Sequence, residues 1–200
     1  MESIKFDFYV NKFSSFKTGD DFELGFLSPI TKRRLDAYDK TIIHTLNKVF
    51  NSETQNIVFS SRFGEIEKLA KLIKQYESDF ETSPNTFSSS VHNFPVGFFL
   101  SSIKKSINYQ TISAGENSIS TGFLTSVISK YNNNIFCYGD SSISFAINFS
   151  KNKKENSKKY SLIMKKSDKK DNYNDWIKLF NNETNLIKAE LFELKRVYDI

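Results

Sequence analysis

The sequence predicts an α/β domain in which helices cover a mixed β-sheet. Two observations indicate this class. Short segments that are apolar throughout, or that alternate apolar and polar residues, recur between longer segments with helical apolar spacing. A chain of 200 residues also suits one domain with a substantial core. We find no internal repeat and no clear domain boundary, so residues 1–200 are expected to form a single domain.

The first half of the chain is predicted to contain two strands and three helices. Residues 4–10 alternate apolar and polar side chains, and residues 56–60 form a short apolar run, so both indicate strands. Pro29 suits a helix start, and a single helix is predicted over residues 30–50. A second helix is predicted over 65–76, and residues 91–97 are predicted to open a third that continues through Ile103. Residues 11–28 and 77–90 are expected to be loops.

The second half is predicted to alternate in the same way. A strand over 109–112 precedes a helix that starts at Glu116 and carries Ile119, Phe123 and Val127 on one face. Strands follow at 135–139, 143–149 and 160–164, and the last two are expected to pair as a hairpin around the lysine-rich turn 151–159. The chain is predicted to finish with an amphipathic helix over 176–197.

Composition and charge limit the possible functions. Hydrophobic residues make up 38% of the chain and charged residues 26%, which is typical of a globular protein. The net charge of +5 suits an acidic partner but does not by itself indicate nucleic acid. No apolar run has the length of a membrane span, and the N-terminus lacks a signal-peptide core, so we expect a cytoplasmic protein. The single cysteine excludes an internal disulfide and a cysteine-based zinc site, and we expect no cofactor or metal.

The segment 110–123, QTISAGENSISTGF, combines a strand, a sharp break and a helix. Such an elbow directs backbone N–H groups and the positive end of the helix dipole at whatever occupies it, and enzymes place nucleophiles there. Here the elbow carries Glu116. This carboxylate either caps the helix, or stands in for a covalent intermediate and holds an inactive site in shape. Ser118 and Ser120 are weaker nucleophile candidates, because residues 118–122, SISTG, lack the first glycine of a G-x-S-x-G motif.

Other candidate residues lie before the elbow in the sequence. His92 and Asn93 precede a predicted helix, where they would anchor the loop or line a cleft beside the elbow. Lys32, Arg33 and Arg34 fall in the first turns of the predicted helix 30–50, where cations are unfavourable. They are therefore either a solvated surface or a contact for an anionic partner. His44 and Cys137 are expected to be structural.

Four segments carry a resemblance to a known family. They are SPITKRRLDAYDKTIIHTL at 28–46, NIVFSSRFGEIEKL at 56–69, SPNTFSSSVHNFPVGFF at 83–99 and ISAGENSISTGFL at 112–124. In this order the chain resembles the N-terminal half of the beta-ketoacyl synthases, and more closely a family of beta-ketoacyl synthase-like N-terminal domains related to chain-length factors. The resemblance covers residues 1–150, and 150–200 is a weakly matched extension. It implies a thiolase-like half-fold.

The resemblance implies a function without condensation. In an active synthase the elbow holds an acyl-accepting cysteine, and two histidines and a lysine in the C-terminal half support condensation. Here Glu116 stands at the elbow, and the sequence is too short for a second half. The resemblance therefore implies an auxiliary or chain-length-factor-like subunit in fatty-acid, polyketide or polyene biosynthesis. The alternative is a residual acyltransferase or thioester hydrolase that uses Glu116, Ser118 or His92.

The resemblance also implies partners. An acidic acyl carrier protein would dock on the basic segments, and a full-length ketoacyl synthase or a second copy would form a dimer. In the thiolase fold, the strand before the elbow pairs with its counterpart across a two-fold axis, which here means residues 108–112. We also expect the helix after the elbow to carry more apolar surface than this chain can bury. Nucleic acid is not an expected partner.

Overall fold

The computed structural model describes residues 3–198, which form one eight-stranded mixed sheet with helices on both faces. The strands are β1 (Lys5–Phe16), β2 (Asn56–Ser60), β3 (Asn108–Ile112), β4 (Asn133–Asp140), β5 (Ile143–Ser150), β6 (Lys158–Met164), β7 (Leu186–Lys188) and β8 (Phe192–Arg196). Their order across the sheet is β3-β2-β4-β5-β1-β6-β8-β7. β2 is parallel to β3 and β4, and every other pair is antiparallel. The predicted α/β class with a mixed sheet is confirmed.

The helices lie in two layers. They are α1 (Pro29–Arg33), α2 (Ala37–Val49), α3 (Ile66–Asp79), α4 (Pro84–Ser89), α5 (Phe94–Ser102), α6 (Ser118–Ile128) and α7 (Tyr173–Phe180). α2 and α5 pack on one face of the sheet, and α6 and α7 pack on the other. The longest, α3, has 14 residues. Within residues 3–198, no helix is long and apolar enough to cross a membrane.

β1 lies at the centre of the sheet and is longer than predicted. Residues 5–10 pair with β6 on one side, and residues 9–16 pair with β5 on the other. The predicted hairpin between β5 and β6 is therefore wrong, because β1 lies between them. The lysine-rich segment 151–157 crosses past β1 instead of reversing onto β5. Local alternation predicts a strand but does not say which strand pairs with it.

The predicted helix over 30–50 is two helices. Asp36 begins α2 with a capping box, in which its Oδ1 accepts from the Asp39 N–H (2.9 Å) and its own N–H donates to Asp39 Oδ2 (3.4 Å). Lys32 and Arg33 therefore lie in the last turn of α1, where cations are favourable. The expected conflict between these cations and a helix N-terminus is absent.

The segment between β2 and β3 also differs from the prediction. Residues 77–90, expected to be a loop, contain the end of α3 and the whole of α4. Ser83 caps α4, because its hydroxyl accepts from the Thr86 N–H, and Pro84 is the first helical residue. The short length of α4 explains why helical apolar spacing does not reveal it.

The C-terminal segment was predicted as a helix over 176–197, and this is wrong. α7 ends at Phe180, and the left-handed backbone of Asn182 (φ 68°) redirects the chain into β7 and β8. The buried residues Ile187, Phe192 and Leu194 belong to these strands. β7 forms the edge of the sheet opposite to β3, so the C-terminal segment does not cover β3.

The apolar face of α6 is buried within this chain. Ile119, Phe123 and Val127 are 3%, 0% and 4% exposed. The Phe123 ring lies 5.6 Å from Phe8 and 5.1 Å from Trp176, measured between ring centroids. α7 and the C-terminal strands therefore supply the partner surface, and the expected excess of apolar surface on α6 is wrong.

Candidate functional site

The elbow predicted between residues 110 and 123 is formed by β3, a single 3₁₀ turn (Gly115–Asn117) and α6. Gly115 has a φ of +57°, which a residue with a side chain adopts only with strain. This conformation lets the chain turn directly from the strand into the helix. Glu116 stands at the tip of the turn, with 44% of its side chain exposed.

Glu116 is held between two cations from other parts of the chain. Its Oε1 lies 3.6 Å from Arg62 Nη2, and its Oε2 forms an ion pair with Lys170. The hydrogen bond from Lys170 is the main reason why the pKa of Glu116 is lowered. The carboxylate is therefore ionised at neutral pH, which does not suit a general acid.

The carboxylate that caps α6 is Asp171, not Glu116. Asp171 Oδ2 accepts from the Ser120 N–H at 2.7 Å, in the first turn of α6. Burial raises the pKa of Asp171, and the hydrogen bonds from α6 oppose that rise. The suggestion that Glu116 caps this helix is therefore corrected. Glu116 is instead exposed at the tip of the turn, where Arg62 and Lys170 pair with it.

Ser118 is buried and participates in the turn itself. Its hydroxyl donates to the Gly115 carbonyl (2.7 Å) and accepts from the Ala114 N–H (3.0 Å). Its own carbonyl accepts from the Ser60 hydroxyl. With 1% of its surface exposed, Ser118 locks the elbow to β2 and does not present a hydroxyl to a substrate.

His92 lies beside the elbow, on the loop before α5. Its ring packs edge-on against Phe59, with 5.4 Å between ring centroids. Burial lowers the pKa of His92, so the ring is neutral at pH 7. Its Nε2 is buried without a hydrogen-bond partner in the part of the chain that the structure describes. His92 lines a cavity of about 260 Å³ together with Arg62 and Ser113.

Asn93 and the basic residues of α1 are placed differently. Asn93 is exposed and stands at the N-cap position of α5, but its side chain makes no capping hydrogen bond. Arg33 and Arg34 are exposed. Arg34 lines a cavity against α4, whereas Lys166, Lys169 and Lys170 line another, of about 460 Å³, beside Glu116. The basic residues next to the elbow are thus those of segment 165–170.

Asp140 positions the loop that carries Arg62, and sequence reasoning missed this role. Its carboxylate accepts from the Arg62 N–H (2.9 Å), the Phe63 N–H (3.1 Å) and the Ser61 hydroxyl (2.6 Å). Asp140 ends β4, and Ser61 follows β2. Because these strands are parallel neighbours, their C-terminal ends meet at one edge of the sheet. The sequence feature that could have indicated this role is an acidic residue, Asp140, at the end of a buried strand.

The remaining candidates with reactive side chains are structural. Cys137 is fully buried, and burial raises its pKa to about 12, so its thiol is not ionised. His44 Nδ1 accepts from the Glu23 N–H at 2.9 Å, which ties the segment after β1 to α2. Neither residue lines the cavities that contain Glu116 or His92.

A second charged group, missed by sequence reasoning, lies where α3 meets α2. Lys68 Nζ lies 2.7 Å from Asp39, 2.9 Å from Glu65 and 3.1 Å from Asp36, each to a carboxylate oxygen. The three carboxylates are close enough together to resemble a metal site, but the Lys68 ammonium lies among them. We call this set the Lys68 cluster. It fixes α3 to the start of α2.

The Lys68 cluster holds a proton. Burial is the main reason why the pKa of Glu65 is raised to about 9, and the neighbouring Asp39 adds to the rise. Asp39 is also buried, which raises its pKa. The raised pKa values of this pair favour one protonated carboxyl at neutral pH.

We expect this proton to make stability depend on pH. Folded Glu65 keeps its proton to about pH 9, whereas unfolded Glu65 loses it near pH 4.5. The free energy of unfolding should therefore fall as pH rises between these values, by up to about 1.4 kcal/mol per pH unit. Glu65→Gln, which imitates the protonated form, should remove much of this slope. Urea denaturation between pH 6 and 8 measures it.

The exposed neighbour Glu67 supplies the control for that experiment, because Glu67→Gln removes a charge on the same helix without touching the cluster. Its slope should match that of the wild type. A Glu65→Gln protein with the wild-type slope would show that Glu65 is ionised in the folded state.

Comparisons with known proteins identify the fold and the family. Residues 11–178 match the family described as beta-ketoacyl synthase, N-terminal domain. Among solved structures, the chain is similar to one from the complex titled "Ketosynthase (ApeO) in Complex with its Chain Length Factor (ApeC) from Xenorhabdus doucetiae", with a TM-score of 0.75 and 15% identity. That match covers 94% of this chain and 99% of the other. A comparison with curated proteins gave no significant match.

The family match agrees with the sequence motifs and extends beyond them. It contains the central strands and the elbow, and it continues to residue 178, through much of α7. The structural similarity shows that the arrangement of sheet and helices is the thiolase-like one that the motifs implied. Because the family match spans most of the sequence and includes the elbow that carries Glu116, this chain belongs to the beta-ketoacyl synthase N-terminal domain family.

Proposed function

We propose that this chain is a non-condensing, chain-length-factor-like auxiliary subunit in fatty-acid, polyketide or polyene biosynthesis. The observation that carries the proposal is the elbow: Glu116 stands where a synthase of this family has its acyl-accepting cysteine, and it is bound by Arg62 and Lys170. The solved relative comes from a complex of a ketosynthase with its chain length factor, which supports this setting.

Glu116 is a poor acyl acceptor for two reasons. An acyl group on a carboxylate is a mixed anhydride, which water hydrolyses readily. Each carboxylate oxygen is also paired with a cation, and these pairs would have to break before the carboxylate attacked a thioester. The negative charge instead keeps Arg62 and Lys170 at the elbow. On this proposal Glu116 stands in for the acyl-enzyme and maintains the shape of an inactive site.

The open edge of β3 supports a partner subunit. β3 pairs with β2 on one side and, among the described strands, has none on the other. The Ile112 carbonyl accepts from the Ser61 N–H, so alternate residues Tyr109 and Thr111 direct their backbone groups towards the open edge. Such an edge readily adds a further strand. We propose that a second thiolase-like subunit, either a full-length synthase or another copy, extends the sheet there.

Lysines beside the elbow support a carrier protein as a second partner. Lys166, Lys169 and Lys170 border the cavity beside Glu116, which Asp168 and Glu190 also line, and acyl carrier proteins are strongly acidic. We propose that such a carrier docks near the elbow in the cytoplasm. Arg33 and Arg34, at the end of α1, are a separate basic group and would serve the same partner only if it covered both surfaces.

The purified protein is expected not to process acyl thioesters. Incubation with malonyl and acyl thioesters should give no ketoacyl product, no free thiol above the blank and no covalent adduct in an intact-mass measurement. The reason is that the elbow has no nucleophile and that Ser118 is buried. A synthase encoded beside this chain should copurify with it when the two are expressed together.

The alternative activity, an acyltransferase or a thioester hydrolase, would reveal itself in the same assay. The buried, unpartnered Nε2 of His92 is the observation that favours it among the described residues. Free thiol released by the wild type, and lost in Glu116→Gln or His92→Gln, would replace the auxiliary role with an enzymatic one. Asn93→Gln, on the exposed neighbour of His92, is the matched control.

A further inference from the structure

Two of the segments that carry the family resemblance meet at a cavity away from the elbow. Arg34 belongs to the segment 28–46, and it lines this cavity together with residues of α4 and α5, which belong to the segment 83–99. We call it the Arg34 cavity. Its volume is about 280 Å³, and it shares no lining residue with the cavities beside Glu116 and His92. The function proposed above does not use it.

Three polar side chains on the wall of the Arg34 cavity are free to bind a ligand. In the part of the chain that the structure describes, the Arg34 guanidinium, the Asn85 amide and the Thr86 hydroxyl form no hydrogen bond or ion pair. Ser88 and Ser89 also line the wall, but their hydroxyls donate to the Asn85 and Thr86 carbonyls of α4. A few convergent polar groups on a concave surface are typical of a small-molecule site.

Two phenylalanine rings of α5 supply the apolar part of the wall. The ring centroids of Phe94 and Phe98 are 5.5 Å apart, and both side chains are half-buried. Lys68 Nζ lies 5.3 Å from the centroid of the Phe94 ring and donates to the Ser89 carbonyl at the end of α4. The Lys68 cluster thus holds one ring and one end of α4 in place. An apolar ligand body would therefore meet a preformed surface.

The charge and the size of the Arg34 cavity limit the ligand. Among the described residues, Arg34 is the one charged residue that lines it. A guanidinium binds a carboxylate through two parallel hydrogen bonds. A phosphate monoester carries nearly two charges at pH 7, so part of its charge would stay unpaired here. A cavity of about 150 Å³ already holds benzene, so this larger one has room for a ring and a carboxylate.

We propose that the Arg34 cavity binds a small organic carboxylate whose apolar body is about one ring in size. The carboxylate would pair with the Arg34 guanidinium, and the Asn85 amide and the Thr86 hydroxyl would donate to its oxygens. The apolar body would pack on Phe94 and Phe98. This site goes beyond the proposed function, because it uses neither the elbow nor the open edge of β3.

Amide NMR of the full chain, titrated with phenylacetate to about 20 mM, tests the proposal. For a ligand of roughly ten heavy atoms we expect a dissociation constant of about 1 mM. Phenylacetamide keeps the shape and removes the charge, whereas acetate keeps the charge and removes the ring. Each should bind at least about tenfold more weakly than phenylacetate. Phenylacetamide that binds as tightly as phenylacetate, or phenyl phosphate that binds more tightly, would contradict a carboxylate site.

Two neighbouring arginines show whether the signal comes from this cavity. Arg34→Gln should raise the dissociation constant for phenylacetate about tenfold or more, because it removes the charge and keeps a polar side chain. Arg33→Gln is the comparison, since Arg33 is also exposed but does not line the cavity. It should leave the constant within about twofold of the wild type. The amide spectrum also shows that each variant is folded.

Two results would overturn the inference. One is equal weakening by Arg34→Gln and Arg33→Gln, which would show that general positive charge attracts the ligand. The other is a wild-type spectrum that does not change up to the highest concentration. Neither result would affect the thioester assay, so the proposed function can stand or fall separately.

Discussion

Replacing Lys68 with methionine is expected to lower the free energy of unfolding by roughly 3–5 kcal/mol. Lys68 is 12% exposed, and it is the cation that faces Asp39 and Glu65, whose side chains are 0% and 2% exposed. Methionine keeps much of the side-chain volume but removes the ammonium. Two buried acids then remain without a cation, which is far more costly than the pairing itself is favourable. Urea denaturation at pH 7 measures the loss.

The pH dependence of this variant identifies the cause. Without Lys68, the pKa values of Asp39 and Glu65 should rise further, so the variant should lose stability more steeply than the wild type between pH 5 and 8. Stability falls as pH rises because the folded state keeps protons that the unfolded state releases. Lys71→Met, on the exposed side of the same helix, should change stability by less than about 1 kcal/mol. Equal losses in the two variants would contradict a role for the buried carboxylates.

The class of fold could be predicted because it depends on local patterns. The alternating residues of β1 and the apolar runs of β2 and β4 mark strands wherever their partners lie. The elbow could be predicted for the same reason, because a strand, Gly115 and a helical repeat follow one another directly. The pairing of the strands could not be predicted. β1 lies between β5 and β6, and it pairs with residues about 140 positions away in the sequence.

The site was predicted only in part, because some of its contacts also join residues that are distant in the sequence. Glu116 was identified from its own position, but Arg62 and Lys170 reach it from loops far away in the sequence. Asp171 shows the same limit: it caps α6 from a segment that follows α6 by more than forty residues. Nothing in the lysine-rich segment 165–170 indicates that the next residue, Asp171, caps a helix.

Buried carboxylates fix the surroundings of the elbow, whereas the elbow residue itself is exposed. Asp140 anchors the Arg62 loop, and Asp171 anchors the start of α6. Ser118 joins the turn to β2 through the hydroxyl of Ser60. Buried hydrogen bonds thus fix the scaffold of the site, while Glu116 stands exposed at its tip. On the function proposed above, this combination would present a constant surface to partners without performing chemistry.

Gly122→Ala is expected to destabilise the protein by about 2–3 kcal/mol, although alanine normally favours a helix interior by about 1 kcal/mol. A β-carbon at Gly122 would lie 2.7 Å from Ser60 Cβ and 2.8 Å from Phe136 Cε2, so α6 would have to move away from β2 and β4. That movement also disturbs the hydrogen bond between Ser60 and Ser118 that holds the elbow. Thermal and urea denaturation measure the loss.

Gly97→Ala is the matched control, because Gly97 is also a helical glycine with a close neighbour. A β-carbon there would lie 3.1 Å from the Tyr109 hydroxyl, the far end of a side chain that can shift. Gly97→Ala should therefore be neutral or more stable than the wild type, by up to about 1 kcal/mol. The two substitutions are chemically identical. If Gly122→Ala lowers the stability and Gly97→Ala does not, the loss is due to the close contact between α6 and the sheet. A Gly122→Ala protein as stable as Gly97→Ala would mean that α6 does not need this contact to hold the elbow in place.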